Sequence, residues 1–204
     1  MRRAFAIFAA VAAFLALTAS PTYASPSVSQ SDEPSQTEIQ KEMSGRGTFY
    51  APFFSEDSSI LQDPPGGGCD FSDVNGSGTA YYTNGVLTGT EVQWHAQTIC
   101  TTTAAGQSMG GIIVNSSLWL NGSSVDTGTE FVCTNCNLGN SPGAWVGGPS
   151  ASGTYWVGAT FNYLLPDGWI WGTPGTTACN VSTTNTALLI CGNTSGTMYF
   201  PPTN

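Results

Sequence analysis

Glu91-Val-Gln-Trp-His-Ala-Gln-Thr-Ile-Cys100 is the stretch that decides the fold class. Val92, Trp94, Ala96 and Thr98 alternate with Glu91, Gln93, His95 and Gln97, a period of two that turns one set inward and leaves the other in water, as a half-buried strand requires. The same period recurs from Thr154 to Leu165, where Tyr155, Val157, Ala159, Phe161 and Tyr163 share a face. Gly111 to Leu120 reads as another strand, and the Asn121-Gly122 that follows is a favoured two-residue hairpin turn, with Val125 opening the return. Pro166-Asp-Gly168 turns the chain into Trp169-Ile-Trp171, and Ala187 to Cys191 and Thr197 to Phe200 supply the last strands. Turn-forming residues punctuate the chain at intervals of roughly ten, and no stretch has a helical period. About seven to nine short antiparallel strands imply an all-β, disulfide-stapled β-sandwich, immunoglobulin-like by preference, with a jelly roll or a barrel as the alternative.

The segments before this domain have a different composition. Met1-Arg2-Arg3 precedes an apolar run from Ala4 to Leu17 and then Thr22-Tyr23-Ala24, the layout of a cleavable signal peptide over residues 1–24. A run of about fourteen residues is too short for a membrane-spanning helix. Ser25 to Gly47 is almost wholly polar and buries too little apolar surface to offset its ordering entropy, so it is expected to be a disordered arm. Residues 48–204 then form one domain, long enough for a substantial core.

Charge narrows the partners. Arg2 and Arg3 belong to the leader and Lys41 and Arg46 to the arm, so Thr48 to Asn204 holds nine carboxylates and no Lys or Arg. Nucleic acid and anionic membrane surfaces are therefore poor partners, since both require cationic side chains. Salt bridges cannot hold the domain together either, which leaves packing, hydrogen bonds and disulfides.

All six cysteines, Cys69, Cys100, Cys133, Cys136, Cys179 and Cys191, lie in the domain. An even count behind a signal peptide implies a disulfide framework in an oxidising, extracellular setting. Spacing favours Cys69 with Cys100, Cys133 with Cys136 and Cys179 with Cys191, the last pair bracketing a hairpin-sized span; the alternative joins Cys100 to Cys133 across two sheets. Cys133-Thr-Asn-Cys136 follows the strand-like Thr129-Glu-Phe-Val-Cys133 rather than opening a helix, which disfavours a redox centre.

A resemblance emerges from Val92-Gln-Trp94 running into Cys100, the hairpin Leu118-Trp-Leu-Asn-Gly122, and Gly153-Thr-Tyr-Trp-Val-Gly-Ala159. Over roughly Glu91 to Tyr163 the chain resembles small secreted immunoglobulin-like proteins of actinobacteria, mostly without assigned function. The resemblance implies a bacterial sandwich and is silent about activity.

Residues for catalysis are few. His95, the sole histidine, falls on the polar face of its strand. Gly106-Gln-Ser-Met-Gly110 matches G-x-S-x-G, but that motif works on a strand-to-helix turn. Glu91 and Glu130, if on neighbouring strands, could form the carboxylate pair of a glycoside hydrolase. Asp70, Asp73 and Asn75 gather oxygen donors without the complete ligand series of a calcium loop. No metal or other cofactor is expected.

Aromatic residues carry more information, because five of the six tryptophans fall between Trp119 and Trp171. Trp169 and Trp171, two apart, project to one face; Trp145 stands among glycines in what reads as a loop. These three are the expected ligand platform, while Trp94 and one of Tyr155 or Trp156 fill the core. Lys41 and Arg46 are the arm's only cationic anchors for a partner, and Ser44-Gly-Arg-Gly47 offers a site to trypsin-like proteins, a layout similar in outline to small adaptor subunits of secreted actinobacterial toxin particles. The expected function is non-catalytic binding of an extracellular protein or glycan. A secreted polysaccharide hydrolase and a toxin or protease-inhibitor component are the alternatives.

Overall fold

The computed structural model describes residues 34–45, 47, 49–56, 66–103, 107–175 and 178–204. The leader, residues 25–33 of the expected arm and Arg46 lie outside the described residues.

Two antiparallel sheets form a β-sandwich. Sheet I contains β1 (Gln36–Met43), β2 (Tyr50–Ser55), β3 (Gly66–Thr83), β4 (Val86–Thr102), β8 (Leu138–Gly147) and β10 (Trp169–Trp171), in the order β10-β2-β3-β4-β8 with β1 also on β3. Sheet II contains β5 (Met109–Leu120), β6 (Ser123–Thr127), β7 (Phe131–Cys136), β9 (Gly153–Leu164), β11 (Cys179–Val181), β12 (Leu188–Thr194) and β13 (Met198–Phe200), in the order β11-β12-β9-β5-β6, with β13 on β9 and β7 on β5. Several short strands lie end to end along a long neighbour: β1 and β2 along β3, β6 and β7 along β5, β12 and β13 along β9. Each sheet is thus about five strands wide, and the count exceeds the expected seven to nine because interrupted edges register as separate strands.

Asn84-Gly85 and Asn121-Gly122 have positive φ at both positions, the type I′ geometry that suits a two-residue hairpin. The second of these is the turn read from the sequence. Asn121 goes further: its amide reaches Ser152 O and Thr154 N. A Cβ at Gly153, where φ is 139°, would lie 2.2 Å from Asn121 Oδ1.

The alternation read at Glu91 to Cys100 and at Thr154 to Leu165 sets the interior. Val92, Trp94, Ala96 and Thr98 of β4 face Tyr155, Val157, Phe161 and Tyr163 of β9 in one core. Polar contacts stitch the sheets together through that core. Thr90 Oγ1 meets Tyr155 Oη at 3.3 Å, the Trp94 indole N–H donates to Ser116 Oγ at 3.0 Å, and Tyr163 Oη meets Thr98 Oγ1 at 2.7 Å. Every buried side-chain polar atom among the described residues has a partner, as a low-dielectric interior demands.

The disulfides are Cys69–Cys100, Cys133–Cys136 and Cys179–Cys191, the favoured set. The first joins directly opposed residues of β3 and β4, and the third does the same for β11 and β12. Three disulfides fit an oxidising extracellular environment. Among the described residues no helix is long and apolar enough to cross a membrane.

The expectation of a disordered arm reaching Gly47 is corrected over Gln36–Met43, which pairs along β3 from Gln36↔Thr83 to Met43↔Gly76. Backbone pairing supplies what the polar side chains lack, and the two apolar ones, Ile39 and Met43, anchor the strand on the core. The folded unit begins at Pro34 instead of Thr48. Lys41 donates to Tyr199 O and lies 5.7 Å from the Phe200 ring centre, so it ties β1 to β13 instead of standing free as a partner anchor.

Candidate ligand-binding face

β5 and β9 pair along most of their lengths, from Gly111↔Leu164 to Leu120↔Tyr155. Because Leu118 and Tyr155 point into the core, the pleat sends Trp119 and Trp156 outward, and the register sets them directly opposite each other. Their rings stack with centroids 4.9 Å apart and planes 9° from parallel, the kind of cross-strand aromatic contact that stabilises a sheet. Neither indole N–H has a hydrogen-bond partner among the described contacts, whereas Trp94 and Trp171 spend theirs on Ser116 Oγ and Ala187 O.

Beside the pair runs a trough of about 470 Å³. Gly158 and Gly192 form part of its lining, Phe49 bounds it, and Asn115, Ser117, Thr160 and Thr194 bring amide and hydroxyl groups to it. A Cβ on Gly158 would stand 3.1 Å from Trp156 Cζ3 and 3.3 Å from Trp119 Nε1, so glycine lets both rings settle against the sheet. No lining residue is ionisable. The trough therefore offers stacking surfaces, donors and acceptors with no charge, a set that suits a neutral polyhydroxylated ligand and gives an ion nothing to pair with.

From the tryptophans toward Leu164, five rows of outward side chains cross β12, β9, β5 and β7; on the other side of the pair lie Thr154 and the exposed Tyr199. Beyond the Trp119/Trp156 row come Thr194, Gly158 and Ser117, then Gly192, Thr160 and Asn115. Next are Ile190, Asn162, Ile113 and Val132, and last Leu188, Leu164, Gly111 and Thr134. None is charged.

The outer face of sheet I differs. A groove of about 910 Å³ there is lined by Glu42, Asn75, Gln93, His95, Gln97 and Asn140, among others. Glu38, Glu42, Asp73 and Glu91 stand on the same side of the sheet, by register and alternation. His95 Nε2 lies 3.1 Å from Asp73 Oδ1 with both side chains over 40% exposed (42% and 43%), a solvated pair.

The three tryptophans expected to form the platform lie elsewhere. Trp145 is in strand β8, opposite Val92 and on its inward side, with its ring 6.0 Å from Tyr155; its glycine neighbours had the look of a loop. Trp169 and Trp171 do share a face, but that face is the core edge. Phe53 meets both rings edge-on at 5.5 and 5.8 Å, and Tyr163 lies 6.1 Å from Trp171. All three are partly buried and packed against the core, where their rings meet other aromatic rings.

The other candidate chemistries are dispersed. Glu91 is on β4 opposite Val146, whereas Glu130 precedes β7 of the other sheet, where neighbouring Thr129 binds Pro142 O. They are not on neighbouring strands. Asp70 accepts from Ser72 and Asp73 from Asn75 around a bulge in β3, and no group of three metal-binding side chains occurs among the described residues. Gln107 and Ser108 lead into strand β5, without the helix that a nucleophile elbow needs.

Trp156 was within reach of the sequence, since placing Tyr155 inward sends its neighbour outward. Trp119 becomes its partner only through the β5–β9 register, which sequence spacing does not encode. No family model, curated protein or solved structure matches the chain.

Proposed function

We propose that this is a secreted, non-catalytic binding protein whose ligand is an uncharged extracellular glycan, held at Trp119 and Trp156. The observation that carries the reading is the stacked, outward indole pair beside an uncharged trough partly lined by glycine. Sugar rings present apolar C–H faces for stacking and hydroxyls for the Asn, Ser and Thr groups around them. The two indole N–H donors stand ready for the same hydroxyls. Export follows from the leader-like residues 1–24, and the three disulfides suit the destination.

Titration of the disulfide-intact protein with neutral oligosaccharides, followed by tryptophan fluorescence and calorimetry, tests the proposal. Trp119→Ala and Trp156→Ala should each weaken binding at least about tenfold, a loss of roughly 1.4 kcal/mol of contact. Glu91→Gln should leave it unchanged. Affinity indifferent to both tryptophans would sink the proposal, and release of reducing ends by the wild-type protein would favour the hydrolase reading instead.

A further inference from the structure

The tryptophan pair occupies one end of a face that continues well past it. Six residues along β5 separate Trp119 from Ile113, a distance of about 20 Å on an extended strand, far longer than one sugar ring. At that distance the cross-sheet row contains Ile190, Ile113 and Val132, with Val132 62% and Ile190 40% exposed. Leu164, 37% exposed, stands in the next row. Gly158 and Gly192 on the intervening rows, and Gly111 beside Leu164, have no side chain to rise above the sheet.

A row of exposed aliphatic side chains on an uncharged face is the kind of patch that marks an interaction site. We propose that the outer face of sheet II docks, as a plane, onto the surface of an ordered polysaccharide built of uncharged β-1,4-linked pyranose chains. The tryptophans grip one end and the aliphatic row the other. This deepens, and rests on, the reading of Trp119 and Trp156 as a glycan site. The neutrality of all five rows selects the occupant: a charged polymer or a typical charged protein patch would find no counter-charge there. Packed flat chains, in contrast, expose broad C–H faces to the tryptophans and the aliphatic row, and hydroxyls to the Ser, Thr and Asn groups between them. A soluble trisaccharide falls short of the aliphatic row and reaches only the trough, so the distant row affects only the ordered surface.

Binding isotherms on microcrystalline cellulose and on chitin particles, set against soluble trisaccharides of the same two sugars, separate the possibilities. The wild-type protein should bind at least one particle type more than tenfold tighter than its trisaccharide. Val132→Glu and Ile190→Glu should abolish that advantage without changing trisaccharide affinity. Val132→Thr and Ile190→Asn, which preserve strand shape without adding charge, should reduce it severalfold and guard against misfolding, with thermal unfolding as the check. Trp119-dependent trisaccharide binding without particle preference, or particle binding indifferent to positions 132 and 190, overturns the planar docking and leaves the glycan site standing. Absence of binding to trisaccharide and particle alike overturns both. Self-association that is lost in Val132→Glu, seen by sedimentation, would assign the face to a second copy of this chain and also overturn the docking.

Discussion

The two outer faces of the sandwich share the same pleat and both carry Ser, Thr and Asn, yet they present opposite surfaces to water. Sheet I gathers Glu38, Glu42, Asp70, Asp73 and Glu91 on its outward side, with His95 beside Asp73. Sheet II has no ionisable acid or base on the five rows across β12, β9, β5 and β7, and carries the stacked tryptophans instead. In a chain of formal net charge −9, an uncharged face arises by segregation. Carboxylates hold water tightly and resist desolvation, so a face that sheds water on docking is best built without them.

The staples provide the largest test of that division. Cys69–Cys100 closes a separation of 31 residues in sheet I and Cys179–Cys191 one of 12 in sheet II, so chain-entropy arguments assign them about 4 and about 3 kcal/mol respectively. Replacing the first pair by alanine should lower denaturant stability the more and leave glycan affinity intact. Replacing the second should cost less stability but weaken binding, because Ala178 and Gly192 at that staple line the trough. Equal effects on binding would mean that the faces are not independent.

The interior that joins them should respond to alkali. Burial pushes the Tyr163 phenol well above its ordinary value, outweighing the Thr98 hydrogen bond. The folded state therefore keeps its proton after the unfolded chain has released its own at about pH 10. Stability from this group is complete below that pH and falls above it, by about 1.4 kcal/mol per pH unit. Urea unfolding from pH 8 to 12 should show the decline, and Tyr163→Phe should flatten it at a neutral-pH cost of about 1 kcal/mol.

The smallest expected effect is the most direct test of the contrast. Glycan affinity should stay constant from pH 4 to 9, since nothing lining the trough titrates. Thr160→Asp, on an exposed position of the uncharged face, should weaken binding severalfold and make it pH-dependent near pH 4, the ordinary carboxylate value. Glu42→Gln on the other face should change it less than twofold.

How much of this was legible beforehand varies by element. β4, β5 and β9 could be read because their inward and outward residues differ sharply in polarity, and Asn121-Gly122 because few other residue pairs accept positive φ twice. β3 was obscured by its glycines, which suggest loop until Met198 and Phe200 are seen filling the space beside Gly78. β1 has only Ile39 and Met43 to turn inward and depends on pairing with β3. β8 looked like a loop around Trp145 because its small residues leave room for larger neighbours: a Cβ at Gly143 would lie 2.1 Å from Trp94 Cζ2.

What the sequence by itself determined is local or compositional: the period of two, the hairpin turn, the lack of cations beyond Arg46, and the cysteine spacings that favour short closures. Which tryptophans stand outward on a sheet face was decided by tertiary structure alone. Solvent exposure of an aromatic ring depends on strand register and on what packs over it. Both are set by partners distant along the chain, as Trp119 opposite Trp156 and Phe53 against Trp169 and Trp171 demonstrate.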